Sequence, residues 1–235
     1  MTRSPRIPNR VHQIWLGPRP VPDHFLPWME TIERFAEGWE YRLWRDADIQ
    51  ELISAALLPG PLTDDSLSVG LRSDVLRYEI LRQQGGVYFD CDFELLRPLD
   101  HLLVPGCLHY GDELSGRPGT GFLASPAGFE FWGFLLRRIR LNLNQPSVHW
   151  WDVVERTGPV AFASALNAWV GEWDGQPLCD ETGQTVGMLY APADVVAFWQ
   201  ETLYPYWYED HTFREFSADR YPLARAAHHW GGSWQ

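Results

Sequence analysis

The sequence has few of the residues that build disulfide-rich, zinc-binding or nucleic-acid-binding proteins. Its 235 residues include three cysteines, Cys91, Cys107 and Cys179, and no Cys-x-x-Cys pair, which argues against a disulfide framework or a zinc site. Lysine and arginine number 19 against 31 aspartate and glutamate, so the net charge is −12. Nucleic-acid-binding domains carry a basic surface, and we therefore expect no nucleic-acid partner.

Long apolar stretches are also missing. No apolar run reaches the roughly 18 residues that a membrane-spanning helix needs, and the basic N-terminal residues have no apolar run behind them. We therefore expect no transmembrane segment and no signal peptide, and we predict a cytoplasmic location. Hydrophobic residues make up 45% of the chain, which is enough for a core, and the length favours a single domain over residues 1–235.

Apolar patterns predict strands that alternate with helices. The predicted strands are Arg10–Leu16, Trp39–Trp44, Val87–Phe89, Leu108–Tyr110, Gly121–Leu123, Met188–Tyr190 and Val195–Phe198. The predicted helices are Asp23–Ala36, Ile49–Leu58, Val69–Gln84, Phe129–Leu143 and Val160–Val170. This alternation favours an α/β sandwich with a largely parallel sheet. A ligand crevice is then expected at the carboxyl ends of the strands, where the strand order reverses.

The triplet Asp90-Cys91-Asp92 directly follows one of these strands. If the strand continues, Asp90 and Asp92 lie on one face and Cys91 points away. Two neighbouring carboxylates repel each other unless a cation compensates, and Mg²⁺ or Mn²⁺ binds through such carboxylates together with substrate phosphates. The alternative is a solvated acidic turn, but the position after an apolar strand favours a metal site.

The predicted helix Val69–Gln84 is apolar around most of its circumference, and Arg72 and Glu79 occupy the part that we expect to be exposed. Asp74 and Arg77 fall inside the apolar arc, where charges are costly unless they are paired or bound to a ligand. One interpretation is a buried ion pair at i, i+3 spacing. The other is that Arg77 binds sugar hydroxyls or phosphate and Asp74 binds a hydroxyl.

Two aromatic segments lie at the ends of the chain. The tail His228-His229-Trp230-Gly231-Gly232-Ser233-Trp234 offers imidazoles that can bind a cation and an indole N–H that can bind an anion. Its alternative is a frayed terminus, although two tryptophans favour docking onto the body. Trp15 ends the first predicted strand, where it can stack on a base or pack in the core.

Together these segments resemble the DXD-containing glycosyltransferases of the family 32 type. That group includes yeast α-mannosyltransferases and bacterial capsule and lipopolysaccharide enzymes, and it is distantly similar to clostridial glucosylating toxins. The resemblance rests on Ile7–Gly17, Tyr41–Trp44, Ser73–Tyr78, Gly85–Asp92, Thr157–Pro159 and the tail. The stretch Ser-Asp-x-Leu-Arg followed by Gly-Gly-x-Tyr-x-Asp-x-Asp is the most specific of them.

The resemblance implies a GT-A fold, a Rossmann-like α/β/α sandwich with a mainly parallel central sheet. It also implies transfer of a hexose from a UDP- or GDP-sugar to a saccharide or other hydroxyl acceptor, with retention of configuration, Mn²⁺ or Mg²⁺ on the diphosphate, and a role in polysaccharide biosynthesis. The implied catalytic residues are Asp90, Asp92 and Arg77. The implied donor-binding residues are Trp15, Asp74, Arg77, Tyr88, Asp90, Ser233 and Trp234. The implied metal ligands are Asp92, Asp90 and His229.

Two other functions remain open from the sequence. A nucleotidyl- or phosphotransferase also uses paired carboxylates with Mg²⁺, but the chain has no phosphate-binding loop of the type G-x-x-x-x-G-K-[ST]. A nucleotide-sugar-binding module without catalysis is the second alternative. Such a module would tolerate loss of the metal, so hydrolysis of the donor with and without Mn²⁺ distinguishes it from an enzyme.

Overall fold

A central sheet of eight strands organises the computed structural model, which describes residues 6–113, 116–145, 152–172, 174–207 and 216–231. In chain order the strands are β1 (Arg10–Ile14), β2 (Glu40–Trp44), β3 (Gly86–Phe89), β4 (Phe93–Leu95), β5 (Leu108–Asp112), β6 (Pro118–Ser125), β7 (Gln176–Cys179), β8 (Thr185–Tyr190), β9 (Val195–Phe198) and β10 (Ala226–His228). The order across the central sheet is β2-β1-β3-β6-β5-β9-β8-β7, and β4 and β10 form a separate antiparallel pair.

Most strands of the central sheet run in the same direction. β1 is parallel to β2 and β3, and β5 is parallel to β9. Only β6 and β8 run in the opposite direction, and each of them pairs antiparallel with both of its neighbours. The predicted mainly parallel sheet is therefore confirmed, with two reversed strands inserted.

Eight α-helices lie in the described part of the chain. They are α1 (Leu26–Phe35), α2 (Gln50–Ile53), α3 (Pro59–Thr63), α4 (Val69–Gln84), α5 (Glu130–Leu143), α6 (Asp152–Arg156), α7 (Pro159–Val170) and α8 (Gln200–Leu203). None of the described helices is both long and apolar enough to cross a membrane. The single-domain organisation and the cytoplasmic location remain predictions.

Helices cover both faces of the sheet, so the predicted α/β/α sandwich is confirmed. On one face the core is built from α4, α5 and α7, with the large rings of Tyr78, Trp132 and Phe162 at its centre. On the other face Ile32 of α1 packs with residues of β4, β10 and the segment around Tyr204. The second core closes around the small β4–β10 sheet, which carries part of the C-terminal tail.

The helix predicted over Ile49–Leu58 is wrong in its second half. α2 ends at Ile53, and the backbone N–H groups of Leu57 and Leu58 donate to Oε1 of Glu79 at 2.5 and 3.0 Å instead of continuing the helix. A second short helix, α3, then begins at Pro59, because proline is tolerated at the first helical position.

The predicted exposure of Arg72 and Glu79 is also wrong. Glu79 is fully buried, and besides the two backbone groups it accepts a hydrogen bond from Arg82 at 2.8 Å. Arg72 is buried and pairs at 3.0 Å with both Asp46 and Asp65. Both charges face segments outside α4 that the helical periodicity does not represent, and those segments supply most of their partners.

Candidate functional site

The candidate site lies where β1 and β3 end side by side. The chain goes from β1 outward to β2 and returns to β3 on the opposite side of β1, so the strand order reverses at this point. In open α/β sheets, ligands bind beyond the carboxyl ends of the strands at such a reversal. Trp15 directly follows β1 and Asp90 directly follows β3, which places both at the predicted crevice.

The Gly85-Gly86 turn lets β3 enter next to β1. Both glycines have positive φ, 64° and 102°, which residues with a side chain rarely adopt. A Cβ on Gly86 would lie 2.7 Å from the carbonyl oxygen of Arg10. The close approach of β3 to β1, which sets the position of Asp90, therefore requires glycine here.

The triplet itself forms a turn, so the strand does not continue through it and ends at Phe89, as predicted. β3 ends at Phe89, and the Phe93 N–H donates to the Asp90 carbonyl at 3.1 Å. The carboxylates of Asp90 and Asp92 nevertheless converge. Cys91 is directed away from them, as expected, and its buried thiol donates to the Ile14 carbonyl at 3.3 Å.

One oxygen of Asp90 is held by two neighbours. Oδ1 accepts a hydrogen bond from the Tyr88 hydroxyl at 2.5 Å and lies 3.2 Å from Nη1 of Arg77. Oδ2 lies on the side of Gly121, 3.0 Å from the position that a Cβ there would occupy. With its side chain 28% exposed, Asp90 is fixed in orientation and still accessible from the crevice.

Arg77 joins the buried helix α4 to this carboxylate. Its guanidinium lies 3.2 Å from Asp74, donates to the Thr120 carbonyl at 2.7 Å and stacks on the Tyr88 ring at 4.7 Å. The buried ion pair between Asp74 and Arg77 is therefore present. Arg77 also reaches Asp90, so the pair is part of the site rather than an alternative to it.

The loop between α6 and α7 anchors Asp74, a contact that the sequence pattern does not predict. The Thr157 hydroxyl donates to Oδ2 of Asp74 at 2.8 Å, and a Cβ on Gly158 would lie 3.2 Å from the same oxygen. Burial raises the pKa of Asp74 to about 6, although Arg77 and Thr157 act in the opposite direction. The Thr157 hydroxyl thus fixes the orientation of a buried carboxyl group that projects from α4.

Asp92 connects the triplet to the C-terminal tail, and it is buried rather than exposed, with 5% of its surface accessible. Oδ1 lies 3.1 Å from Nε2 of His228, and Oδ2 accepts the Gly231 N–H at 2.7 Å. Burial by itself would raise the pKa of Asp92, but the His228 imidazole lowers it below its usual value. The same contact raises the pKa of His228 against the effect of burial.

His228 takes the position that the sequence analysis assigned to His229. One ligand atom from each of Asp90, Asp92 and His228 lies within 4.8 Å of the others. Both ring nitrogens of His229 are engaged elsewhere, Nε2 with Glu94 at 3.0 Å and Nδ1 with the Tyr206 hydroxyl at 2.8 Å. Among the described residues, His228 and not the predicted His229 therefore lies beside the two carboxylates.

Of the three predicted site residues that remain, Trp15, Ser233 and Trp234, the structure describes only Trp15. Trp15 is half-buried, packs edge-on against Phe25 at 5.9 Å and donates its indole N–H to the Arg19 carbonyl at 2.8 Å. Ser233 and Trp234 lie outside the described residues. The tail up to Gly231 is docked, because the His229 N–H donates to the Asp92 carbonyl at 2.9 Å.

A divalent cation fits this donor set. The carboxylates of Asp90 and Asp92 supply the oxygen ligands that Mg²⁺ and Mn²⁺ prefer, and a neutral imidazole is a further ligand. Nδ1 of His228 is buried and has no hydrogen-bond partner among the described residues, so Asp92 supplies the polar contact of a ring that also packs against Phe93. We expect the cation to compete with the proton shared by Asp92 and His228, because metal ligands must be deprotonated.

The chain is similar in sequence to glycosyltransferases. Residues 22–106 match the family described as "Glycosyltransferase sugar-binding region containing DXD motif". Inositol phosphoceramide mannosyltransferase 3 of Schizosaccharomyces pombe is 31% identical over 176 residues, which cover 71% of this chain and 47% of that protein. An uncharacterized glycosyltransferase of Acanthamoeba polyphaga mimivirus is 24% identical over 166 residues, covering 68% of this chain and 64% of its own length.

A solved structure supports the fold. The PaToxG glycosyltransferase superposes with a TM-score of 0.54 at 15% identity and covers 71% of each chain. The predicted resemblance to DXD-containing glycosyltransferases and the GT-A-type fold are therefore confirmed. The chain spans about half the length of the yeast relative, 47%, and 64% of the viral one.

Proposed function

We propose, from its similarity to the DXD-containing glycosyltransferases, that this chain transfers a hexose from a nucleotide-diphosphate sugar to a hydroxyl group of a saccharide or other acceptor. The proposal includes a divalent cation on the donor diphosphate and retention of the anomeric configuration. Its relative in Schizosaccharomyces pombe is named a mannosyltransferase, which favours a hexose as the transferred sugar.

The observation that carries the proposal is the convergence of Asp90, Asp92 and His228 at the sheet crevice. These groups come from the end of β3 and from the docked tail, and Arg77 lies 3.2 Å from Asp90 on the other side. Because the chain has a net charge of −12, most of its surface should repel a dianionic diphosphate rather than bind it. A cation and Arg77 would supply the local positive charge that such a donor requires.

The proposed cation is held by Asp90, Asp92 and His228. When bound, it would neutralise negative charge that develops on the departing diphosphate. The imidazole ligand favours Mn²⁺ over Mg²⁺, because Mg²⁺ is bound through carboxylates and water and rarely through nitrogen.

In this proposal, different side chains bind the base, the sugar and the diphosphate of the donor. We assign the base to the Trp15 ring at the end of β1, and the sugar hydroxyls to Asp74, Arg77 and the accessible oxygen of Asp90. Tyr88 acts through Asp90, since its hydroxyl donates to that carboxylate at 2.5 Å. Ser233 and Trp234 remain proposed ligands of the diphosphate, because they follow the docked residue Gly231 by only two and three positions.

A panel of UDP- and GDP-sugars tests this function. The purified protein is incubated with each donor in the presence of Mn²⁺ or of a chelator, and nucleoside diphosphate and free sugar are measured. We expect one or a few donors to be hydrolysed, only with the metal. Asp90→Asn should abolish the reaction, whereas Asp65→Asn, which alters a carboxylate that is 87% exposed, should not.

The other outcomes of the panel identify the rival functions. Release of nucleoside monophosphate and sugar 1-phosphate, in place of nucleoside diphosphate and free sugar, would indicate cleavage at phosphorus by a phospho- or nucleotidyltransferase. Tight binding of a nucleotide sugar with no turnover, with and without Mn²⁺ and a series of saccharide acceptors, would indicate a binding module. Either result would contradict the proposed function.

A further inference from the structure

Two glycines form a floor on one face of β6 next to Asp90, on which neighbouring side chains pack closely. Gly119 and Gly121 are two positions apart, so their missing side chains would point to the same face of the strand. A Cβ on Gly121 would lie 3.0 Å from Oδ2 of Asp90 and 3.3 Å from the Tyr204 hydroxyl. A Cβ on Gly119 would lie 2.8 Å from the same hydroxyl.

Tyr204 lies across this floor with a buried hydroxyl. Its ring packs on β5 at Gly111, where a Cβ would approach a ring carbon to 2.7 Å. The residue is 1% exposed, and its buried hydroxyl has no hydrogen-bond partner among the described residues. A buried hydroxyl without a hydrogen-bond partner is unfavourable. We therefore expect a partner for the Tyr204 hydroxyl that the described residues do not supply.

Glu113 brings a second polar group to the same place. It follows β5, and its backbone N–H donates to the Arg117 carbonyl at 2.6 Å, directly before β6 begins. Oε1 of its carboxyl group lies 2.7 Å from the position of a Cβ on Gly119. The Tyr204 hydroxyl therefore lies between the carboxyl groups of Glu113 and Asp90, with a floor of glycine beneath it.

We propose that Glu113 and Tyr204 form a subsite for carbohydrate hydroxyl groups, next to the metal site and on the opposite side of Asp90 from Arg77. This inference rests on the proposed function and adds to it the residues that contact a sugar on this side of the crevice. The hydroxyl groups belong either to the transferred sugar or to the acceptor, and the experiment below distinguishes the two.

The chemistry of the subsite favours a neutral, hydroxyl-rich ligand over a phosphate. Glu113 and Asp90 supply acceptor oxygens, and the Tyr204 hydroxyl can donate and accept, which matches the donor and acceptor character of a sugar hydroxyl. An anion would be repelled by the two carboxyl groups. The glycine floor lets these groups lie close to β6, because a side chain at Gly119 or Gly121 would collide with Glu113, Tyr204, Phe93 or Asp90.

Tyr204→Phe and Glu113→Gln are the test variants. Tyr110→Phe and Asp112→Asn are their matched controls, since Tyr110 is a buried tyrosine packed in the core on the other face of the sheet and Asp112 is the carboxyl that precedes Glu113. For each variant we measure the melting temperature, the affinity for nucleoside diphosphate with Mn²⁺, the hydrolysis of the donor without acceptor, and the transfer to acceptor.

We expect Tyr204→Phe to melt at the same temperature or higher, because the lost hydroxyl has no partner in the described chain. Affinity for Mn²⁺ and nucleoside diphosphate should stay unchanged. The kcat/KM of both test variants should fall by about tenfold or more, as when a hydrogen bond to substrate is lost. The controls should resemble the wild type.

The pattern of the loss identifies the ligand. A fall in acceptor-free hydrolysis places the transferred sugar on the subsite, whereas normal hydrolysis with reduced transfer places the acceptor there.

Wild-type values for both reactions in both test variants would overturn the inference. So would equal losses of nucleoside diphosphate affinity and of kcat/KM together with a lower melting temperature, because they indicate a structural role. If the wild type itself binds no nucleotide with Mn²⁺ and hydrolyses no donor, the proposed function fails and this inference falls with it.

Discussion

The imidazole of His228 lies 3.1 Å from the carboxylate of Asp92, and both side chains are buried. This contact joins the turn after β3 to a tail that begins more than 130 residues later in the chain. The tail is therefore part of the candidate metal site, and a change at either residue is expected to affect both metal binding and the docking of the tail.

Asp92→Asn should remove metal binding and also destabilise the fold. The carboxylate receives a charged contact from His228 and the Gly231 N–H, and hydrogen bonds to charged groups contribute about 1.5–3 kcal/mol each. We expect a lower free energy of unfolding in urea and no rise in melting temperature on adding Mn²⁺, in contrast to the wild type. An Mn²⁺-dependent rise equal to that of the wild type would exclude Asp92 as a ligand.

Replacing the two adjacent histidines separately tests which one binds the metal. His228→Gln should weaken Mn²⁺ binding by about tenfold or more, since even residues that only support a metal ligand contribute 10- to 100-fold. His229→Gln should leave Mn²⁺ affinity near the wild-type value and lower the melting temperature, because His229 is held by Glu94 and Tyr206. Isothermal titration with Mn²⁺ in the presence of nucleoside diphosphate measures both, and the reverse pattern would restore the assignment to His229.

Arg77→Met should destabilise the protein by about 3–5 kcal/mol, because it leaves the buried carboxyl of Asp74 without its ion-pair partner. Adding Asp74→Asn to that variant should recover part of the loss, since the stranded charge is then removed. Urea unfolding of the two single variants and the double variant gives the coupling energy. Strictly additive effects would show that the 3.2 Å contact between the two side chains contributes nothing to stability.

The buried imidazole of His12 should make the protein less stable in acid. Burial lowers the pKa of His12 from 6.5 to about 4, and the neutral ring is satisfied by Trp44 at 3.2 Å and the Gly85 carbonyl at 2.9 Å. Between pH 6.5 and pH 4 the unfolded chain binds a proton that the folded chain does not. The contribution of His12 is therefore present above pH 6.5 and is lost as the pH falls towards 4, by at most about 3 kcal/mol.

Urea unfolding at several pH values measures this effect. His12→Gln should have a smaller loss of stability between pH 6.5 and pH 4 than the wild type, whatever its stability at neutral pH. A loss of the same size in both proteins would mean that His12 does not titrate in this range.

Local sequence signals predict a helix over Val69–Gln84, and α4 spans these same residues in the structure. The helix begins after Ser68, whose hydroxyl accepts the Leu71 N–H at 3.3 Å, and it ends at Gly85 with positive φ. These signals lie within a few residues of the helix ends, so a single sequence contains them. Most partners of Arg72 and Glu79 come from segments outside α4, and periodicity along one helix cannot identify them.

The choice between His228 and His229 depends on pairing that no local pattern contains. β10 has three residues, and its pairing with β4 sets His228 opposite Phe93. Moving that register by one residue would exchange the faces of the neighbouring side chains. A three-residue strand paired with another 130 positions away has no periodicity of its own, so the sequence indicates a histidine in the tail but not which one.

Uptake of Mn²⁺ tests the central claim most directly, which is that Asp90, Asp92 and His228 hold a divalent cation on the donor diphosphate. The electron paramagnetic resonance signal of free Mn²⁺ is titrated with wild-type protein, with and without nucleoside diphosphate, and with Asp90→Asn. We predict that the wild type removes one Mn²⁺ per chain from the free pool, more tightly with nucleoside diphosphate, and that Asp90→Asn loses this uptake. A free Mn²⁺ signal that the wild type leaves unchanged in the presence of nucleoside diphosphate, or that Asp90→Asn reduces equally, would contradict the claim.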